Sequence, residues 1–386
     1  MDLASAVVVG SLAVLGYVYL GYPVLVLMLA RGLGTSVRPV PATPPVALVI
    51  AAFNEALVMA EKIRNTLALD YPAERLTIVV VCDGSTDETA RIARECGGGR
   101  VRVLDDPVRG GKAGALNHGV RATTEDLLVF SDANALYRRD ALRQLVAPFA
   151  DARVGLASGF KTVTARSNAI GEGERTYWDY ESRLRWAETC LGSTVAVVGE
   201  ILAVRRALFE EMPGHVLVDD SYLCLRVLRA GARVVFVPEA VSVEGPAATR
   251  AGELIRRRRI AAGRFQLLCA PRQWPWRRPG VLVALVSHKF LRLLSPVLLI
   301  LVLAGTIVLA RRDGAWLARA AVVSQCGFYA AAALGAGNRG GRFARLATYF
   351  VAGQLGVLAG AVAYLSGADA AIWQPVARQP SSPPES

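Results

Sequence analysis

The sequence predicts an α/β domain with a mostly parallel sheet, joined to helices that cross a membrane. Apolar strand-like runs alternate with helical patterns between residues 46 and 237. Four long uncharged runs lie outside that region, and 53% of the 386 residues are hydrophobic. Strand and helix signals that alternate along a chain indicate a parallel sheet covered by helices. A bilayer is crossed by about 20 apolar residues in a helix, which each long run approaches or exceeds.

The predicted elements of the α/β domain follow one another in a regular order. The helix after the second strand begins at a Ser-Thr-Asp-Glu run, which is a good signal for a helix start. Strands are predicted at 46–50, 76–81, 101–104, 127–130, 154–158 and 234–237. Helices are predicted at 56–69, 88–95, 113–121, 140–149, 172–190 and 222–230.

Short polar motifs follow the first four predicted strands. Ligands of an open α/β sheet bind at the carboxyl ends of the strands, so these motifs should converge on one crevice. A crevice lined by carboxylates, an amide and one lysine suits a nucleoside diphosphate with its metal ion. The motif residues are Asn54 and Glu55 after the first strand, Asp83 after the second, Lys112 and Asn117 after the third, and Asp132 and Asn134 after the fourth.

Lys112 is unusual because only four of the 44 basic residues are lysines. It lies between Gly111 and Gly114 at a predicted helix start, where backbone N–H groups and the helix dipole suit a phosphate. The run is not a Walker A loop, since Ala113 replaces the Ser or Thr and Asp106 stands in place of the first glycine. A solvated loop lysine is the alternative interpretation.

These motifs occur in the order and spacing of a family 2 glycosyltransferase of the GT-A fold, a Rossmann-like fold. The series continues through Asp219-Asp220 and the four arginines at 256–259, so the resemblance covers roughly residues 46–263. The sequence resembles the membrane branch that includes cellulose, hyaluronan and chitin-oligosaccharide synthases. The resemblance implies that a sugar moves with inversion from a nucleotide-sugar donor, expected to be a UDP-sugar, to a membrane lipid or saccharide. Glycolipid or exopolysaccharide synthesis is the expected setting.

The resemblance also implies roles for individual residues. Asp220 would be the general base, with Asp219 as its neighbour; a cap of the following helix is the alternative role for this pair. Asn54, Glu55 and Asp83 are the residues expected to bind the nucleoside. Their alternative interpretation is that they are turn residues. Donor-binding residues would be Asn54, Glu55, Asp83, Lys112, Asn117, Asp132, Arg258 and Arg259.

A divalent cation, Mg²⁺ or Mn²⁺, is expected at Asp132-Ala133-Asn134, where the family usually has Asp-x-Asp. Such cations prefer oxygen ligands and commonly take one or two carboxylates plus phosphate oxygens. Asp132 would supply the carboxylate. Asn134 would supply a neutral carbonyl oxygen, so the site would carry one negative charge fewer.

The arginine run departs from the Gln-x-x-Arg-Trp motif of processive members, since neither the Gln nor the Trp is present. The arginines could stabilise a leaving diphosphate or form a membrane-surface patch. One alternative function is therefore a processive polysaccharide synthase that extrudes its polymer, which would need oligomers because four spans are few for a pore. Another is a non-catalytic membrane scaffold that binds a nucleotide sugar. A transporter is weakly supported, because the apolar runs contain few polar residues.

The apolar runs predict the organisation around the catalytic domain, residues 46–263. Residues 4–30 are too long for the apolar core of a signal peptide, which indicates a retained anchor. Basic residues after this run and between the last two place the catalytic domain in the cytoplasm of an integral plasma-membrane protein, with both termini outside. Arg311 and Arg312 oppose this orientation. The other predicted segments are a linker at 31–45, an interfacial segment at 264–292, spans at 293–310, 320–337 and 346–368, and a tail at 369–386.

The net charge of +12 does not indicate nucleic-acid binding. The basic residues gather near span ends and at 250–278, where anionic headgroups attract them, and no zinc-finger or RNP-like pattern is present. Six scattered cysteines without a C-x-x-C pair, in a domain expected to be cytosolic, argue against disulfide or metal roles. Three histidines argue against a histidine-built metal site. The expected partners are the donor, the acceptor and the lipid bilayer.

Overall fold

The computed structural model describes residues 2–35, 40–163, 169–245, 250–312, 315–337 and 339–367. Positions 36–39 of the predicted linker, position 368 of the predicted fourth span and the predicted tail lie outside them. The strands are β1 Val46–Ala52, β2 Leu76–Asp83, β3 Val101–Asp106, β4 Leu127–Asp132, β5 Ala135–Tyr137, β6 Val154–Val163, β7 Ile201–Arg205 and β8 Arg233–Glu244. The α-helices are α1 Leu3–Gly16, α2 Tyr22–Leu33, α3 Ala56–Leu67, α4 Thr89–Gly97, α5 Gly111–Arg121, α6 Ala141–Val146, α7 Ala169–Cys190, α8 Asp219–Arg229, α9 Arg250–Leu268, α10 Pro279–Ala284, α11 Ser295–Ala310, α12 Trp316–Ala336 and α13 Arg342–Leu365.

The described strands form one eight-stranded sheet in the order β3-β2-β1-β4-β7-β6-β8-β5. β1 is parallel to β2 and β4, and β2 is parallel to β3. β7 runs antiparallel to β4 and β6, β5 runs antiparallel to β8, and β6 is parallel to β8. The predicted α/β class with a mostly parallel sheet is confirmed.

Two of these strands were not predicted from the sequence. β5 has three residues, too few for a periodic pattern, and it pairs with the distant β8 through Tyr137 and Ser242. β7 is an almost wholly apolar run of five residues, which periodicity alone cannot separate from part of a buried helix. Both strands are recognised only from their long-range partners.

The register of the parallel strands brings their carboxyl ends to one edge. Ala51 pairs with Asp132, and Asp83 pairs with Asp106. α5 packs closely over β1 at Gly119, where an added Cβ would lie only 2.4 Å from a methyl carbon of Val49. This close packing holds the first turn of α5 at the same edge as the strand ends.

α8 begins earlier than predicted, and this corrects one interpretation of the acidic pair. Val218 is the N-cap, so Asp219 and Asp220 lie within the first helical turn. The interpretation that the pair caps the helix is therefore wrong. Carboxylates in the first turn are favoured instead by the positive end of the helix dipole.

Among the described residues, four helical runs are long and apolar enough to cross a membrane by length and composition: Leu3–Leu33, Pro279–Ala310, Trp316–Ala336 and Arg342–Leu365. One is N-terminal and three are C-terminal, as predicted. The second run begins well before the predicted span at 293–310 and includes much of the segment predicted to be interfacial. The runs Leu3–Leu33 and Pro279–Ala310 each contain a π-helical turn, at Tyr17–Gly21 and Leu285–Phe290 respectively.

A buried ionic cluster explains why this second run continues through charged residues. Each ring nitrogen of His288 lies 2.8 Å from a carboxylate oxygen, one of Glu181 and one of Glu188. Arg292 Nη1 donates to Glu181 at 2.9 Å, and the Tyr22 hydroxyl donates to Glu188 at 2.8 Å. Hydropathy alone ends the span at such charges, because it cannot show that α7 supplies their partners. The cluster thus joins α7 to two of the apolar runs.

Candidate functional site

The turn after β1 is held against the turn after β2. Asn54 has a left-handed backbone with φ of 53°, a conformation that asparagine tolerates better than most residues. Its side-chain oxygen accepts from Thr86 N at 2.8 Å, and Glu55 N donates to Thr89 Oγ1 at 2.8 Å. The hydrogen bond of the Asn54 side chain therefore ties the two turns together. Asn54 and Glu55 thus lie on a turn that packs against the turn that follows Asp83.

Asp83 offers an unpaired acceptor in the adjacent cleft. Its side chain is buried, and Gly110 N donates to Oδ1 at 2.6 Å. Oδ2 is also buried and has no hydrogen-bond partner among the described residues. A buried polar atom without a partner costs about 1–3 kcal/mol, which a ligand N–H group would offset. Asp83, Asp106, Gly110 and His118 line an open cavity of about 450 Å³ here.

Arg109 and Phe53 form a stacked pair near Asp83 that was not predicted from the sequence. The guanidinium carbon of Arg109 lies 3.6 Å from the centre of the Phe53 ring. Burial lowers the pKa of Arg109, while the charge of Asp83 opposes that shift. Arg109 Nε and Nη2 are buried without partners among the described residues. The available signal was positional, since Phe53 precedes Asn54 and Arg109 precedes the glycines before Lys112.

Lys112 stands at the centre of the acidic cluster. Its ammonium lies 2.7 Å from Asp132 Oδ1 and 3.3 Å from Asp219 Oδ2, and only 12% of its side chain is exposed. Burial disfavours the charged amine, but Asp132 and Asp219 outweigh that effect and raise the pKa of Lys112. The alternative of a solvated loop lysine is therefore wrong. Lys112 joins the end of β4 to the start of α8 through these two ion pairs.

Asp220 sits beside this cluster with its pKa raised. Burial is the larger cause, and the neighbouring charge of Asp219 adds to it, while Lys112 opposes both. Ser221 N donates to Asp220 Oδ1 at 2.6 Å. Gly199 lies against this side chain, since an added Cβ there would be 3.0 Å from Asp220 Cβ. A carboxylate with a raised pKa is suited to take a proton.

The four arginines at 256–259 have different surroundings. Arg259 Nη1 donates to the Leu217 carbonyl at 2.9 Å, and Arg259 lines the same cavity as Lys112 and Asp219. Arg256 and Arg257 both pair with Glu253. The guanidinium carbon of Arg257 also lies 4.2 Å from the ring centre of Tyr349, and this contact ties α9 to α13. The side chain of Arg258 is exposed and is not brought to the cluster.

Asn117 is placed differently from the other predicted donor-binding residues. Its side-chain amide donates to the Met212 carbonyl at 2.8 Å and accepts from Met212 N at 3.0 Å. The amide group is buried and uses both of its functions on the segment before α8. The structure thus gives Asn117 a fold-stabilising contact, and the cleft does not include it.

Asp132 and Asn134 fit a hard divalent cation. Asn134 Oδ1 is buried without a hydrogen-bond partner in the described part of the chain. The Asp132 side chain is 32% exposed, and Lys112 contacts its Oδ1. No group of three or more His, Cys, Asp or Glu that could hold a metal occurs among the described residues. A cation held by one carboxylate and one amide oxygen would therefore keep coordination positions open for diphosphate oxygens.

A family model described as glycosyltransferase like family 2 matches residues 44–263. The chain belongs to glycosyltransferase family 2. A probable glycosyltransferase, YdaM of Bacillus subtilis strain 168, is 28% identical over 217 residues, which are 52% of this chain and 50% of that protein. A beta-monoglucosyldiacylglycerol synthase of Trichormus variabilis is 28% identical over 227 residues, 56% of this chain and 48% of that protein. This chain therefore spans about half the length of the curated relatives it matches.

The solved structure of a mannosyltransferase from Pyrobaculum calidifontis, in complex with GDP-Man and Mn²⁺, is similar to most of this chain. The TM-score is 0.75 with 27% sequence identity, and the match covers 95% of this chain and all of that one. The likeness extends beyond residues 44–263, so it includes apolar helices as well as the catalytic domain. The GT-A fold inferred from the sequence is confirmed.

Proposed function

We propose that this glycosyltransferase moves a sugar, with inversion, from a nucleoside diphosphate sugar to a lipid or saccharide acceptor at a membrane. The observation that carries the proposal is the position of Lys112 between Asp132 and Asp219, beside the buried carboxyl of Asp220. One cluster thereby holds a cation for the diphosphate, oxygens for a metal and a candidate base. Such a set matches what glycosyl transfer from an activated donor requires.

The chemical step follows from the position of Asp220. Its carboxylate takes the proton of the acceptor hydroxyl while that oxygen forms a bond to the anomeric carbon. The bond from the anomeric carbon to the diphosphate oxygen breaks, and its electron pair leaves with the diphosphate. No covalent intermediate forms, so the configuration at the anomeric carbon inverts. Lys112 and Arg259 place positive charge where the leaving group gains negative charge.

A divalent cation, Mg²⁺ or Mn²⁺, would be held by Asp132 and Asn134 and would add positive charge to the diphosphate. Lys112 orients Asp132 through its contact with Oδ1. The solved mannosyltransferase with Mn²⁺ supports a requirement for such an ion.

The base of the donor would bind in the cleft of Asp83 and Arg109. The free Oδ2 of Asp83 suits a ring N–H, which both uracil and guanine present. A UDP-sugar is the donor expected from the sequence. GDP-mannose is a second candidate, because the paired N–H groups of Arg109 Nε and Nη2 match the adjacent O6 and N7 acceptors of guanine. The GDP-Man bound to the Pyrobaculum mannosyltransferase also favours this candidate.

We further propose an integral plasma-membrane protein whose catalytic domain faces the cytoplasm, where nucleotide sugars are made. The four apolar runs support a catalytic domain seated on the bilayer, as do the contacts of Pro279–Ala310 with α7 and of Arg342–Leu365 with α9. The acceptor would then be a membrane lipid, as the name of the Trichormus relative suggests, or a saccharide in glycolipid or exopolysaccharide synthesis. That the protein forms oligomers stays a prediction, and it applies if the protein is a processive synthase.

The test is turnover of purified full-length protein in detergent with a panel of UDP- and GDP-sugars, Mg²⁺ or Mn²⁺, and native membrane lipids. Transfer from one donor with inverted configuration, abolished in Asp220→Asn, would support the proposal. A single added sugar would favour simple transfer, and a long product would favour the processive alternative. Binding of a donor without turnover under any condition would favour the non-catalytic scaffold. Failure of every nucleotide sugar to bind would overturn the proposal.

A further inference from the structure

Lys62 is a fully buried lysine that contacts the residues on either side of the predicted cation site. It is on α3 and has 0% exposure. Its ammonium donates to Ser131 Oγ at 2.7 Å and to the Ala135 carbonyl at 2.5 Å, and it lies 4.6 Å from the ring centre of Tyr137. No motif in the sequence pointed to this residue.

The two acceptors of Lys62 bracket the Asp-Ala-Asn segment. Ser131 immediately precedes Asp132, and Ala135 immediately follows Asn134. One amine therefore holds both ends of the three-residue Asp132–Asn134 connection, which comprises the last residue of β4 and the two residues that lead to β5. Both predicted ligands lie within that connection, so its conformation decides where their oxygens are placed.

A second residue of α3 strengthens the same attachment. Asn65, one turn after Lys62, donates to the Tyr137 carbonyl at 2.8 Å, and its Oδ1 accepts from Tyr137 N at 2.8 Å. The Tyr137 hydroxyl in turn donates to the Glu200 carbonyl at 2.8 Å. Lys62 and Asn65, which we call the α3 clamp, thus fix β5 on the sheet next to the site.

A purely space-filling role does not explain an amine at this position. Burying an amine costs free energy that an alkyl side chain of the same length would avoid. What the amine adds is two directed hydrogen bonds to groups on either side of the ligands. Burial lowers the pKa of Lys62 to about 7, with Asp132 and Glu200 opposing the shift, and N–H donors remain in both protonation states.

We infer that Lys62 is a positioning residue, which fixes the Asp132–Asn134 connection so that both side-chain oxygens are ready for the cation and the donor diphosphate. The inference rests on the proposed function, since it concerns the same site. Groups that orient metal ligands from behind typically change metal affinity or activity by about 10–100-fold when removed. Loss of the Lys62 amine should act through metal binding in this way.

The test measures Mn²⁺ binding without turnover. Full-length protein in detergent is titrated with Mn²⁺ in the presence of UDP or GDP and no acceptor, and free Mn²⁺ is followed by its electron paramagnetic resonance signal. Lys62→Met keeps the length of the side chain and removes its donors, so the Mn²⁺ dissociation constant should rise by at least about 10-fold. Ile63→Ala is the matched control, because Ile63 is buried on the same helix in the hydrophobic core. It should lower the melting temperature while leaving the Mn²⁺ dissociation constant unchanged.

Two further variants decide the outcome if Lys62→Met does not fold. Ser131→Ala removes one acceptor and Asn65→Ala releases Tyr137, and each should raise the Mn²⁺ dissociation constant by less than Lys62→Met. Wild-type affinity in a folded Lys62→Met protein, or in both of these variants, would overturn the inference alone. Absence of nucleotide-dependent Mn²⁺ binding in the wild type would overturn the inference and the metal-dependent part of the proposed function together.

Discussion

The ammonium of Lys112 lies 2.7 Å from Asp132 Oδ1 and so joins the first turn of α5 to the end of β4. The two residues are distant in sequence and meet because parallel strands end at one edge of the sheet. A buried cation at the amino end of a helix, beside carboxylates that suit a metal, is placed where a diphosphate would bind.

Replacement of Lys112 by Met should therefore reduce kcat/KM at least about 100-fold, the usual effect of removing one group that stabilises a leaving anion. Donor binding should weaken as well, because the cation is present before the reaction. Lys289→Met is a control for general loss of a buried ion pair, since Lys289 pairs with Glu181 in the cluster that joins α7 to the apolar runs. Equal effects of the two substitutions on kcat/KM, measured with saturating acceptor, would contradict a specific role for Lys112.

Asp220→Asn should abolish transfer without lowering the melting temperature. The folded pKa of Asp220 is raised, so its ionisation at neutral pH opposes folding, and the neutral amide removes that destabilisation. The same raised pKa means that activity should fall with decreasing pH at a value above that of an ordinary aspartate, which is about 4. Thermal unfolding and a pH profile of kcat/KM check both parts. A lower melting temperature in Asp220→Asn would show that the carboxylate is chiefly structural.

Arg259→Met should reduce kcat/KM far more than Arg258→Met does. Arg259 lines the cavity of Lys112 and Asp219, whereas Arg258 is exposed on the same helix. A loss of about 100-fold is expected for Arg259 if it stabilises the leaving diphosphate. The comparison also separates the two interpretations of the arginine run, because a membrane-surface patch would make both substitutions change lipid binding more than turnover.

Asn134→Asp should lower the Mn²⁺ concentration that gives half-maximal activity, and Asn134→Ala should raise it. The Asn134 side-chain oxygen is buried and unpaired in the described structure, and a second carboxylate would increase the charge that holds the cation. Removal of divalent ions by a chelator should abolish transfer in all three proteins, with Mn²⁺ restoring it. An unchanged metal requirement in both variants would place the metal site elsewhere.

Part of the fold was predictable because it depends on local patterns. β1 and β4 are apolar runs bounded by polar residues, and their alternation with helices is enough to indicate a parallel sheet. β5 was not predictable, because its three residues gain their structure from β8 and from the α3 clamp. The apolar run Pro279–Ala310 was predicted too short, because a charged residue such as Arg292 interrupts the apolar sequence. In the fold, Glu181 pairs with the charge of Arg292.

The candidate site shows the same division. Asp83, Lys112, Asp132 and Asp220 were found from the sequence, since each is a polar residue placed where an apolar run ends or a helix begins. Arg109 was missed, because its importance depends on stacking against Phe53 and on donors left unpaired.

The sequence by itself determined the family, the α/β class with its apolar helices, and the polar residues at the strand ends. These features follow from short-range chemistry, namely periodicity, turn residues and the order of motifs. Only the tertiary structure decided that Lys112 is buried between two carboxylates, that Asn117 serves the fold, and that Lys62 supports the Asp132–Asn134 connection from below. These depend on which distant groups meet and on how far they are removed from water, and neither property is encoded in the local order of residues.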